Sequence, residues 1–164
     1  MAMMVTMLTG GINLSIIATA NMTGIVTAMI LTATIDPAAP PPWAFGWVVL
    51  AIAAGLATAL LIGLINGVLI AGLNVSPILA TLGMMTLVNG LTIVITKGYV
   101  ISGLPNAVRF IGNGKIAGIP FCTIIFVLCA LALAVILNRT PLGFNIYMLG
   151  SNPTASYFSG VNNR

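Results

Sequence analysis

The strongest constraint on this chain is where its charges are missing. Of 164 residues only Asp36, Lys97, Arg109, Lys115, Arg139 and Arg164 are charged; there is no Glu or His, and the first 96 residues hold one charge. A soluble domain carries roughly 25% charged residues to keep its surface in water. Here the share is 4%, against 60% hydrophobic residues and a mean hydropathy of +1.20. A soluble fold is excluded, and the expected class is an all-α integral membrane protein lying in the lipid bilayer. The formal charge of +4 is dispersed rather than clustered, so no nucleic acid partner is expected.

A membrane-crossing helix needs about 20 predominantly apolar residues, and the chain divides at its Gly and Pro clusters into about four such spans. They cover residues 13–33, 47–73, 77–96 and 121–137, with residues 1–8 read as part of a preceding span. No Lys or Arg comes before position 97, so the first apolar run lacks the positive start of a cleaved signal peptide and is expected to stay as a membrane helix. Asn13 or Ser15 is placed to cap the first span. The connector from Asp36 to Pro42 leads to Trp43, Phe45 and Trp47, aromatic residues suited to a membrane interface. In the second span, Ala51, Gly55, Ala59, Gly63 and Gly67 put a small residue at every fourth position, a candidate helix-packing stripe. The third span opens at Pro77 and contains Asn89-Gly90, the pattern of a broken helix. Residues 97–120 are too polar and too punctuated to cross a bilayer and read as an ordered loop or re-entrant hairpin.

Acid and base chemistry needs groups these spans do not have, so an enzyme is not expected. No His/Cys/Asp/Glu cluster has metal-ligand spacing, and Cys122 and Cys129 would sit about 10 Å apart along one helix, too far for a disulfide. No metal and no cofactor are expected. Gly112 to Ala117 mimics a dinucleotide fingerprint without the surrounding βαβ unit, and Gly114-Lys115 lacks the rest of a P-loop. Asn21-Met22-Thr23 matches a glycosylation pattern but lies mid-span. A proton- or ion-coupled carrier usually places an ionisable group inside its bundle. These spans offer only Asn13, Asn21, Thr23, Thr58, Asn66, Thr86 and Asn89, which suit a neutral hydroxyl-rich solute and equally suit plain interhelical bonding. Asn13, Asn66 and Asn89 are the candidates for a translocation path.

Four ordered motifs then carry a family resemblance. Leu8-Thr9-Gly10-Gly11-Ile12-Asn13-Leu14-Ser15 resembles the GGIDLS motif of the ribose-type permeases of bacterial ABC importers. Pro77 to Met84 is similar to their P-F-I-x-T-L-G-M. Gly98, Ile101 to Pro105, Phe110, Gly112, Gly114 and Gly118-Ile119-Pro120 follow their loop punctuation, G-x-x-I-x-G-L-P, then G-x-G, then G-I-P. Arg139-Thr140-Pro141-Leu142-Gly143, Tyr147, Gly150, Asn152, Ala155, Ser159 and Gly160 look like their R-T-x-x-G-x-x-x-Y-x-x-G-x-N-x-x-A-x-x-S-G signature. The chain departs from the family at Asn13 (usually Asp), Phe144 (often Arg) and Ser151 (a second Gly), and it lacks acidic residues after Asn152.

The resemblance implies a partial permease bundle, residues 1–164, forming the membrane subunit of an ATP-driven importer for a monosaccharide or similar small polar solute. It implies a separate ABC ATPase subunit, a periplasmic or extracellular solute-binding protein, a second permease copy and a bacterial inner-membrane location. It makes residues 97–120 an exterior loop and residues 139–164 a cytoplasmic segment that docks on the ATPase, with Gly150, Asn152, Ala155, Ser159 and Gly160 as coupling residues. Three basic residues in the loop against two in the tail weakly favour the opposite orientation; the resemblance is given the greater weight. It also covers only about half of a family member, so a fragment is expected. A nucleoside or other small-solute permease of the same superfamily, and a non-functional remnant or membrane scaffold, stay open as alternatives.

Overall fold

The computed structural model describes residues 2–36, 44–104, 106–116, 118–151, 156 and 158. Its elements run α1 (Ala2–Leu8), α2 (Ile16–Thr34), α3 (Ala44–Gly67), α4 (Pro77–Thr96), α5 (Asn106–Asn113), β1 (Lys115–Ile116), β2 (Ile119–Pro120), α6 (Phe121–Arg139) and α7 (Pro141–Ser151). Four helical stretches among the described residues are long and apolar enough to cross a membrane: Ile16–Thr34, Phe45–Gly72, Pro77–Thr96 and Phe121–Arg139. The chain forms two units, residues 14–112 and residues 1–13 with 113–164.

In the unit of residues 14–112, α2 packs against both α3 and α4. Contacts near Ser15 and Asn66 at one end and Thr27 and Ala51 at the other run α2 and α3 antiparallel. Leu14 bonds to Thr81 and Met22 touches Thr92, so α2 and α4 run parallel. Ala18, Met22, Ile62, Met84 and Val88 close the centre where the three helices meet. Leu31, Ile35 and Ala51 form a second cluster, with Leu104 folded back onto it. Lipid tails are as apolar as these side chains, so helices associate through close packing rather than through escape from water. Close packing therefore depends on small residues.

The every-fourth-residue stripe on α3 meets that need only in part. Ala51 is fully buried, and a Cβ on Gly55 would run into Thr27 Oγ1 and lie 3.1 Å from the Thr23 carbonyl oxygen. Gly63 and Gly67 have nothing within 4 Å, and Ala59 is half-buried. Four residues advance an α-helix by about 400°, so such a stripe drifts about 40° per step and leaves the α2-facing side. Ile62 and Asn66 return to that side and are buried in its place.

Two further expectations are corrected. The third span is not a broken helix: α4 runs from Pro77–Thr96 without interruption, with Asn89 and Gly90 inside it. Pro77 occupies its first turn, where the missing N–H costs nothing. The irregularity falls one span earlier, where α3 passes into a π-helical turn, Val68–Gly72, with the Leu73 N–H reaching back to the Val68 carbonyl at 3.1 Å. Asn74, at φ +54, then reverses the chain into α4. Ser15 does stand at the start of α2 but makes no side-chain cap bond; its hydroxyl faces Asn66 instead.

In the other unit, α6 and α7 meet at a tight corner whose sequence, Thr140-Pro141-Leu142-Gly143, is explained by its geometry. The Gly143 N–H donates to the Thr140 carbonyl at 3.1 Å and reaches its Oγ1 at 3.4 Å, and Pro141 opens the helix. A Cβ on Gly143 would overlap the Leu137 backbone, 2.6 Å from its Cα. Farther along α7, a Cβ on Gly150 would overlap the Leu8 carbonyl of α1. In chain order between α4 and α6, the loop region expected at 97–120 holds α5 and a two-residue antiparallel pair, Lys115 with Pro120 and Ile116 with Ile119.

Candidate functional site

Every buried polar side chain among the described residues is neutral: Ser15, Asn66, Thr81, Thr92 and Ser156. Three of them gather where the start of α2 meets the end of α3 and the first turn of α4. Asn66, 4% exposed, donates from Nδ2 to Ser15 Oγ at 2.8 Å, and Ser15 is 1% exposed. Thr81 Oγ1 accepts the Leu14 N–H at 3.2 Å while donating to the Pro77 carbonyl at 2.7 Å. The Asn66 carbonyl oxygen Oδ1 is buried with no hydrogen-bond partner among the described residues. Such an orphan costs about 1–3 kcal/mol, and it sits one residue before the position that leads into the π-helical turn.

The hydroxyls expected to serve a solute are mostly occupied. Thr23 donates to the Thr19 carbonyl at 2.8 Å, Thr58 to Ala54 at 2.9 Å and Thr86 to Gly83 at 2.8 Å. A threonine inside a helix spends its proton on the preceding turn when no water is at hand, so these groups keep only acceptor capacity.

Of the three path candidates, Asn66 is the buried one. Asn89 is half-buried on α4, eight residues beyond Thr81 and so about 12 Å along the helix; it does not join the Ser15–Asn66–Thr81 group. Asn13 is half-buried and belongs to the other unit. Among the coupling residues, Gly150 ends α7 against α1, and Asn152, Ala155, Ser159 and Gly160 lie outside the described residues.

One feature went unread in the sequence. A cavity of about 470 Å³ opens along α2 from Ala20 to Ala28, bounded by α4 near Thr96 and by the chain around Tyr99. Asn21 lines it, and its amide makes no hydrogen bond among the described residues. The only sequence signal was an asparagine inside an apolar span. Nothing in the linear pattern says which face of α2 that residue occupies.

Four helices long and apolar enough to cross a membrane, with buried polar groups that are all neutral among the described residues, define a multi-pass helical membrane protein. The chain belongs to the family described as branched-chain amino acid transport system / permease component, whose model matches residues 1–164. It is 37% identical over 156 residues to the ribose import permease protein of Bacillus subtilis (strain 168), covering 94% of this chain and 45% of that protein. The D-allose transport system permease protein of Escherichia coli (strain K12) is 32% identical, with 94% and 44% covered. The galactofuranose transporter permease protein of the same strain is 31% identical, with 95% and 42% covered. The chain thus spans a little under half the length of these relatives. No solved structure matches it. The resemblance carried by the four sequence motifs and these comparisons agree on a sugar-permease relationship.

Proposed function

We propose that the chain is part of the membrane subunit of an ATP-driven importer for a monosaccharide or similar small neutral solute. The observation that carries this is a membrane bundle whose buried polar groups are amides and hydroxyls, in a chain whose relatives are named as sugar permeases. Without an ionisable group inside the spans there is no internal carrier for a coupling proton, which supports an external source of energy. In this reading a separate ABC ATPase binds the cytoplasmic segment 139–164 through Gly150, Asn152, Ala155, Ser159 and Gly160. A solute-binding protein delivers solute to the exterior side, where loop 97–120 lies, and a second permease copy completes the assembly in the bacterial inner membrane. Asn13, Asn66 and Asn89 contribute to the translocation path. Within the stripe Ala51, Gly55, Ala59, Gly63 and Gly67, Ala51 and Gly55 serve helix packing against α2.

Uptake of labelled ribose against labelled adenosine by cells carrying the full-length gene product tests the solute class. Ribose uptake that needs a co-purifying ATPase is expected; adenosine uptake alone would move the protein to the nucleoside branch, and no bound ATPase would favour a remnant. A reporter fused at Arg164 is expected to lie in the cytoplasm, and an exterior location would remove the tail from ATPase docking.

Asn66 has a separate test. Exchanging it together with its partner, as Ser15→Ala with Asn66→Leu, removes their hydrogen bond and an orphaned carbonyl at once, so the loss of stability should be smaller than for Ser15→Ala alone, which leaves the whole Asn66 amide buried without its partner. Denaturation in mixed micelles measures this. If the fold is kept while uptake is unchanged, Asn66 has no part in the path.

A further inference from the structure

We infer that the groove along α2 is the wall of the solute path and that Asn21 is its specificity-determining side chain, selecting a neutral monosaccharide over a zwitterionic amino acid. The inference rests on the importer reading above and names the contact surface within it. Groove-lining Ala20, Gly24 and Ala28 recur at one face of α2 and keep that wall low, so a ring can approach the helix closely. The Asn21 amide supplies two N–H donors and one carbonyl acceptor, the complement of adjacent sugar hydroxyls, each of which both donates and accepts. Thr96 Oγ1 donates to the Thr92 carbonyl at 2.9 Å and accepts the Gly98 N–H at 3.3 Å, which leaves it one lone pair for a solute O–H. Tyr99, 77% exposed, brings an aromatic face and a phenolic hydroxyl to the same groove. Among the described residues no charged side chain lines it. An ammonium or carboxylate held there would be desolvated without a partner, at a cost far above that of a hydroxyl. A volume of about 470 Å³ is within the range of small-molecule sites, about 300–1,000 Å³. The groove is open on one side, and relatives about twice as long have the chain to close it.

The test uses the full-length gene product in bacterial membranes, with Cys122→Ala and Cys129→Ala as background. Asn21→Cys is compared with Leu60→Cys, an exposed position on α3. A charged, membrane-impermeant maleimide is the probe, because a thiol needs water to become the reactive thiolate. Labelling of Asn21→Cys is expected to be at least about tenfold faster than that of Leu60→Cys, and to be slowed by D-ribose but not by L-leucine. Equal, slow labelling at both positions would show a dry groove and overturn the inference, as would fast labelling that leucine slows and ribose, allose and galactose do not, or that none of the four slows. Gly24→Cys, where a Cβ meets nothing within 4 Å, repeats the measurement if Asn21→Cys does not accumulate. Uptake of ribose, allose and galactose by the cysteine-free background separates the two levels: uptake of any of them with a dry groove removes the Asn21 assignment alone, and uptake of none removes the sugar-importer reading.

Discussion

Gly143→Ala is expected to open the corner between α6 and α7 and to be among the most damaging single-methyl additions in the chain. The added Cβ would overlap the Leu137 carbonyl and lie 2.6 Å from its Cα. A clash with a side chain can be relieved by a rotamer change, but here the obstacle is backbone, so the helix start itself must move. That movement also breaks the bonds from the Gly143 N–H to Thr140, which tie down the first turn of α7. Overpacking costs about 1–3 kcal/mol where neighbours can adjust and more where they cannot, so a loss of about 3 kcal/mol or more is expected. Protease accessibility of the Arg139–Thr140 bond in solubilised protein reads the corner directly. Cleavage no faster than in the parent would mean that the corner tolerates a side chain and that the glycine in this motif has another reason. Thr140→Ala, which removes a hydroxyl but adds no bulk, should cost only about 1 kcal/mol and so separates capping from crowding.

The second large effect is expected at Gly55. Gly55→Leu places a branched side chain where Thr27 Oγ1 and Thr23 already stand, with the Thr23 carbonyl oxygen 3.1 Å and its Cγ2 3.2 Å from the new Cβ. Thr27 holds this contact from the other side, since its Oγ1 reaches the Ala51 carbonyl at 3.3 Å as well as the Thr23 carbonyl at 2.9 Å. Seating leucine requires α2 and α3 to separate, which loses that interhelical bond and the close packing around Ala51. A destabilisation of about 2–4 kcal/mol is expected, measured by unfolding in mixed micelles. Gly63→Leu is the matched control: the same substitution, on the same helix, with nothing within 4 Å. Its effect should stay within about 0.5 kcal/mol. Equal losses at both positions would show that helix propensity or bilayer insertion, not the α2–α3 contact, governs the response.

These two glycines mark different degrees of legibility. Gly143 belongs to a motif visible in the sequence, and what the fold adds is the cause: a threonine at the helix start, a proline in the first turn and a glycine under a crossing backbone. Gly55 was one of five equivalent-looking positions. Only packing against α2 distinguishes it from Gly63 and Gly67, because a repeat of four drifts around a helix of 3.6 residues per turn.

The same division holds for the polar groups. Asn66 and Asn21 are both asparagines inside apolar spans and look alike in the sequence. In the fold, one is sealed against Ser15 and the other lines an open groove. Thr23, Thr58 and Thr86 looked like free hydroxyls and are bonded within their own helices. The irregular backbone expected at Asn89-Gly90 lies instead at Val68–Gly72, since an isolated glycine in a helix surrounded by apolar residues keeps its backbone bonds, and no residue type encodes a π-turn.

By itself the sequence determined the class, four apolar spans and the family, because in lipid a missing charge and a run of about 20 apolar residues leave few alternatives to a crossing helix. The tertiary structure decided which face of each helix is buried, which glycines are crowded and which amide is sealed or open. Those depend on the rotation of one helix against another, a relation between segments far apart in the chain that no local pattern of residues contains.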